Sequence, residues 1–239
     1  MAGLRYNART RRGAIPATLG TLAAINVVNN WLAPQAYPIT GVAASGALLS
    51  IARWDGCSWE DLGLARTRLR TGLAWAGGCG LAVLAGYALV ASVPALRPAL
   101  IDDRAASLSG PEVAGKLLVN VPLGTVLLEE VAFRGVLYAM LARRYGVRRA
   151  ILGSSAIFGL WHILPSLHIA ERNAAVQSVV ADGVPGVLIS VAGAVAVTAA
   201  GGVVLCELRR RSGSLLAPIG LHLALNDLGY AFAWALNRR

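Results

Sequence analysis

Residues 113–141 read VAGKLLVNVPLGTVLLEEVAFRGVLYAML. A helix of about 20 apolar residues crosses the roughly 30 Å hydrocarbon core of a bilayer, and this stretch is longer than that. Near its middle it carries Glu129, Glu130 and Arg134. Charges at such depth are costly, and where they occur they mark function. The remainder of the chain agrees with a lipid setting. Of 239 residues, 56% are apolar and 14% are charged, with a mean hydropathy of +0.60. A soluble domain carries roughly 25% charged residues. The apolar residues fall in long runs, not in the alternating strands of about ten residues that build a membrane barrel. In lipid the remaining way to satisfy the backbone is the helix. The expected fold class is all-α, a polytopic transmembrane helix bundle forming one integral membrane domain over 1–239.

Seven stretches are expected to span, near 14–33, 37–52, 72–93, 113–141, 150–168, 186–206 and 214–236. An eighth arises only if a long run is broken. The first follows Arg5, Arg9, Arg11 and Arg12 and carries Asn26, Asn29 and Asn30; no small-residue cleavage site follows it, so it reads as a span and not as a signal peptide. The net charge is +10. Its arginines gather in alternate gaps: the N-terminal four, then Arg53, Arg66, Arg68 and Arg70, then Arg143, Arg144, Arg148 and Arg149, then Arg209, Arg210 and Arg211. The opposite gaps hold Arg97, Arg104, Arg172, Arg238 and Arg239. That bias predicts a cytoplasmic N-terminus and an outer C-terminus. It also accounts for the basic balance without nucleic acid, for which no recognition motif is present. Lys116 is the only lysine among 22 basic residues, a bias that points to a GC-rich bacterial genome and hence to a plasma-membrane protein. Residues 58–70, SWEDLGLARTRLR, read either as a short interfacial helix starting at Ser58 and presenting Trp59, Leu62 and Leu69, or as a connecting loop. Cys57, Cys79 and Cys206 have neither metal-ligand nor redox spacing and read as small buried residues.

The polar residues inside spans lie in three of them. They are Glu129, Glu130 and Arg134, then Phe158 to His162, then His222, Asn226 and Asp227. Glu129, His162 and Asn226 each fall about 12 residues from the cytoplasmic end of their span, roughly 18 Å along a helix, and His222 falls about 12 Å along its own. Helix geometry separates the glutamates. Glu130 and Arg134 are four apart and share a face, so they read as a charge-balancing pair. Glu129 is turned roughly 140° from Arg134 at about 100° per residue and is left to face a cavity.

Two chemistries fit this set. Glu129 with His162 activates a water molecule while His222 and Asn226 donate to the oxyanion formed at a peptide carbonyl. Alternatively, Glu129, His162 and His222 hold Zn²⁺ with an open water position, although the compact HExxH spacing is absent. Ser154 and Ser155 read as packing residues, His168 as a loop histidine, and Trp161 as packing. A proton-coupled transporter would use the same carboxylates and histidines as a relay, but no internal repeat of the kind such proteins carry is visible. A non-catalytic immunity or adaptor protein is the third alternative.

The segments EEVAFR (129–134), FGLWH (158–162) and HLALN (222–226) fit the motifs EExxxR, FxxxH and HxxxN, in order and each in an expected span. In this the chain resembles the CPBP family of CAAX proteases and bacteriocin-processing proteins, related to the Ras-converting CAAX prenyl protease. The resemblance implies an intramembrane endopeptidase whose catalytic core covers 113–236. It implies Glu129 and His162 as water-activating residues, His222 and Asn226 as oxyanion stabilisers, and Glu130, Arg134 and Phe158 in support. It implies a metalloprotease in the family's usual description. The implied substrate is a membrane-associated protein or peptide, such as a peptide precursor, or the protein serves bacteriocin self-immunity.

Overall fold

The computed structural model describes residues 10–102, 105, 107–167 and 183–238. Arg5, Arg9, Arg104, His168, Arg172 and Arg239, used in the sequence reading, lie outside them. The described residues contain helices and turns and no strand. Helix α1 (Ala14–Val27) runs on into a π-helical turn, Val28–Leu32. Helix α2 is Tyr37–Trp54 and α3 is Leu69–Ser92. Helix α4 is a composite rod: α-helical Gly110–Gly115, π-helical Lys116–Val126, α-helical Leu127–Glu129, π-helical Glu130–Leu137 and α-helical Tyr138–Tyr145. Helix α5 is Val147–Trp161, α6 is Ile163–Ser166, α7 is Val184–Ser212 and α8 is Leu216–Leu236.

Ser109 starts α4 with a reciprocal capping box to Glu112, which satisfies two of the free amides at the helix start. Pro122 lies inside the rod and cannot donate to the preceding turn, and the surrounding residues widen to the π pattern. Every residue from Leu128 to Met140 is buried. A helix buried on all sides is the centre of a bundle. Around α4 pack α2, α5 and α8, while α3 lies against α8 and α7 against α5. Close approach of α2 to α4 rests on two glycines. A Cβ on Gly41 would strike the backbone at Leu123 and Gly124, and one on Gly124 would strike the Tyr37 ring.

The outer helices carry the opposite pattern. Leu73, Leu81 and Leu89 of α3 and Val184, Leu188 and Val197 of α7 are exposed. Among the described residues only these two helical stretches, Arg66–Ser92 and Val184–Ser212, are long and apolar enough by themselves to cross a membrane. The other expected spans are also helical where described. They are shorter, widened by π turns, broken at His162, or carry polar residues, which is why length and hydropathy alone do not mark them.

One end of the bundle is stitched together by the arginines. Asp55, just past α2, is buried. Its Oδ1 lies 2.6 Å from Arg144 Nη2, and it accepts the Arg11 backbone N–H at 2.8 Å. Arg143 Nη1 is 3.9 Å away and also donates to the Asp55 carbonyl at 3.2 Å. Arg209 at the end of α7 is buried and donates to the Asp61 carbonyl at 2.9 Å. Gly63 takes φ +76°, and a Cβ there would collide with the Arg209 guanidinium. Its carbonyl accepts the Leu215 N–H at 2.9 Å, which fixes the start of α8. Thus Arg143, Arg144 and Arg209, read from sequence only as topology signals, also hold the structure.

Residues 58–63 form a turn, not an interfacial helix: Ser58 and Asp61 bond each other reciprocally. Leu62 belongs to the core and not to the interface, whereas Trp59 and Leu69 remain exposed. Burial pushes the Cys57 thiol above its ordinary value, in keeping with an inert packing cysteine.

Removing the Asp55 carboxylate leaves Arg143 and Arg144 without their buried partner. Breaking such a pair costs about 3–5 kcal/mol. Asp55→Ala is therefore expected to lower the midpoint of thermal unfolding in lipid nanodiscs; a midpoint equal to that of the wild type would contradict the stitched end.

Candidate active site

Glu129 and Glu130 stand where α4 passes from its short α-helical segment into the second π-helical stretch. Both are buried, as is Arg134. Arg134 Nη1 bonds Glu130 Oε1 at 3.0 Å within the helix. The guanidinium also stacks on the Phe158 ring, 3.9 Å from its centroid, where the aromatic face attracts the cation.

From α8, His222 reaches into this pair. Its Nδ1 lies 2.8 Å from Glu130 Oε1, and its Nε2 lies 3.8 Å from Glu129 Oε2. Glu130 is therefore more than a charge-balancing partner for Arg134, because it also orients the histidine. Nor do the two glutamates face apart as the ideal helix angle implied. Two long side chains let these neighbouring residues address one imidazole.

From α5, the Trp161 indole donates to Glu129 Oε1 at 3.0 Å. Trp161 was read as packing; it also holds the carboxylate. Helix α5 ends at Trp161, and His162 takes φ −84° and ψ 0° before α6 begins. His162 Nδ1 is 2.8 Å from the Phe158 carbonyl. The Phe158 ring meets His162 and His222 edge-on, with centroids 4.7 and 6.4 Å apart. His162 thus borders the site through Phe158, and no hydrogen bond joins it to Glu129 among the described residues. Asn226, one turn beyond His222 on α8, is half-buried and makes no side-chain hydrogen bond among the described residues. Asp227 keeps a buried Oδ1 without a partner. The Ser154 hydroxyl donates to the Phe133 carbonyl at 2.6 Å, as a packing serine would.

Four buried atoms at the centre have no hydrogen-bond partner among the described residues: Glu129 Oε2, Glu130 Oε2, and Arg134 Nε and Nη2. Burying such groups is costly unless something bonds them. Among the described residues no group of three or more His, Cys, Asp or Glu side chains is placed to hold a metal ion.

Two neighbours of the site were not singled out from sequence. Asn26 of α1 donates from Nδ2 to the Trp161 carbonyl at 3.1 Å. Tyr37 of α2 lies close to Thr125 and within electrostatic range of Glu129. The available signal for the first was Pro165, four residues after Trp161, which leaves that carbonyl without its helical donor. Tyr37 had no signal, since its place depends on how closely α2 packs.

With this geometry in hand, the comparison with known families is specific. Residues 113–228 match the family model described as Type II CAAX prenyl endopeptidase Rce1-like. That segment contains all three sequence motifs. No curated protein and no solved structure matches the chain.

The two glutamates should differ in stability. Glu130→Ala strands Arg134 and is expected to cost about 3–5 kcal/mol. Glu129→Gln keeps an acceptor for Trp161 and should cost much less. Thermal unfolding of both variants in nanodiscs checks this, and equal losses would count against the separation of roles.

Proposed function

We propose that this chain, whose residues 113–228 match the Rce1-like type II CAAX prenyl endopeptidase family, is an intramembrane endopeptidase. It hydrolyses a peptide bond of a membrane-associated protein or peptide, with Glu129 as general base. The observation that carries this reading is the Glu129 carboxylate itself. One oxygen is engaged by Trp161, and the other is buried, unpartnered and turned toward His222. A carboxylate in that state takes a hydrogen bond from water and removes its proton as attack begins. The water oxygen bonds the carbonyl carbon of the substrate. The C–N bond then breaks, and the departing amine takes the proton back from Glu129.

His222 serves the oxyanion. Its Nδ1–H donates to Glu130, which fixes the ring and directs Nε2 toward the reacting space. An Nε2–H there, with the Asn226 amide, donates to the carbonyl oxygen as it gains charge. An imidazolium at His222 also balances the charges: with Arg134 it offsets Glu129 and Glu130. His162 borders the substrate from the other edge of Phe158 and is the second candidate to bind the water.

The chain crosses the bilayer seven times with its arginine-rich ends in the cytoplasm. Support comes from the arginine asymmetry, which draws those ends into one stitched layer. The membrane is a bacterial plasma membrane on the composition of the basic residues. The substrate is a peptide precursor or another membrane-associated chain.

The test is the purified full chain in nanodiscs, incubated with a library of membrane-associated peptides with and without a chelator. Cleavage is expected in both arms. Glu129→Gln should lower the rate at least about a hundredfold, and His222→Ala by a similar factor. Wild-type rates in Glu129→Gln defeat the proposal. Loss of activity with chelator, restored by Zn²⁺, replaces the protein-only mechanism with a metal-assisted one.

A further inference from the structure

Asn26 lies on α1, about a hundred residues before Glu129, and belongs to none of the three motifs. It is nonetheless tied to the site by consecutive hydrogen bonds. Pro165 has no N–H, and its ring crowds the carbonyl four residues before it. That carbonyl is Trp161 O, and α5 ends there. A carbonyl freed inside a bundle needs another donor. Asn26 Nδ2 supplies it at 3.1 Å.

The orientation of the Asn26 amide is fixed in turn. Asn30, one turn on, donates from its own Nδ2 to Asn26 Oδ1 at 2.7 Å and to the Asn26 carbonyl at 2.9 Å. The Asn26 oxygen is thereby committed to Asn30 and its NH₂ to Trp161. At Trp161 the backbone is held by Asn26, while the side chain donates to Glu129 Oε1 at 3.0 Å. The indole thus occupies one carboxylate oxygen and leaves Oε2, which is buried without a partner.

We propose that Asn26 is a positioning residue for Glu129, acting through Trp161 by capping the carbonyl that Pro165 leaves free. The inference rests on Glu129 being the base of the proposed peptidase. Asn26 touches neither substrate nor water. It sets where the indole stands and therefore which carboxylate oxygen is presented.

A double-mutant cycle on the full chain in nanodiscs tests this, with Asn26→Leu, Trp161→Phe and their combination. Leu keeps the volume of Asn26 without its amide, and Phe keeps an aromatic ring without the N–H. Steady-state cleavage gives kcat and KM separately. Each single variant is expected to lower kcat roughly tenfold, the scale of one lost hydrogen bond to a charged group, with KM within about twofold. In the Trp161→Phe background, Asn26→Leu should change kcat by less than about twofold, because its route to Glu129 is already cut. Multiplying losses would overturn the proposal, as would a loss confined to KM. Asn26→Ser, which keeps a short donor, should recover part of the rate and substitutes in the cycle should Asn26→Leu fail to insert. A wild-type chain with no peptidase activity would sink the hydrolase reading together with this inference. An active wild type with an additive cycle would sink the role of Asn26 alone.

Discussion

A guanidinium with no exposure to water sits near the centre of this bundle, and the packing around it is arranged to make that tolerable. Moving an ion of this kind out of water costs several kcal/mol even after relaxation. Arg134 recovers that cost from the Glu130 carboxylate one turn before it and from the face of Phe158 on the neighbouring helix. Glu130 in turn engages His222 from α8. Three helices are therefore committed to one electrostatic centre. None of them can shift by a turn without stranding a charge. That rigidity keeps these groups aimed before any substrate arrives, as the proposed hydrolysis requires.

A second polar layer lies at the arginine-rich end. There Asp55 draws together the start of α1, the end of α2 and the end of α4, while Arg209 holds the 58–63 turn and through it the start of α8. The two layers are joined by α4, whose last turn bears Arg143 and Arg144 and whose middle bears the glutamates. Between them the core is apolar, with Phe133, Leu137 and Met140 fully buried. The bundle is thus pinned at two levels along one central rod.

The helices were legible in the sequence because lipid demands long apolar runs, and those runs stand close to where hydropathy puts them. The motif residues were legible because ions inside such runs are rare. The partnerships were less so. An ideal α-helix turns Glu129 away from Arg134 and makes Glu130 its private counter-ion; in the structure two long side chains let both glutamates address His222. Nothing in a hydropathy profile signals where α8 sets that ring. Trp161 reads as packing because its ring packs, and its N–H is spoken for only once Glu129 is placed opposite. Asn26 shows a middle case. The free carbonyl follows from Pro165, but which donor answers it depends on the way α1 lies against α5.

The separation of the paired groups along the chain bears on how the protein is made. Glu130 and its histidine partner stand 92 residues apart. A ribosome threading helices into the bilayer in order delivers the acidic rod well before the imidazole that completes it. Until α8 arrives, neither the ring that Glu130 orients nor the asparagine one turn beyond it is there, so the nascent polypeptide carries an unfinished site. On the proposed hydrolase reading, the site stays incomplete, and so harmless to its neighbours, until α8 has docked.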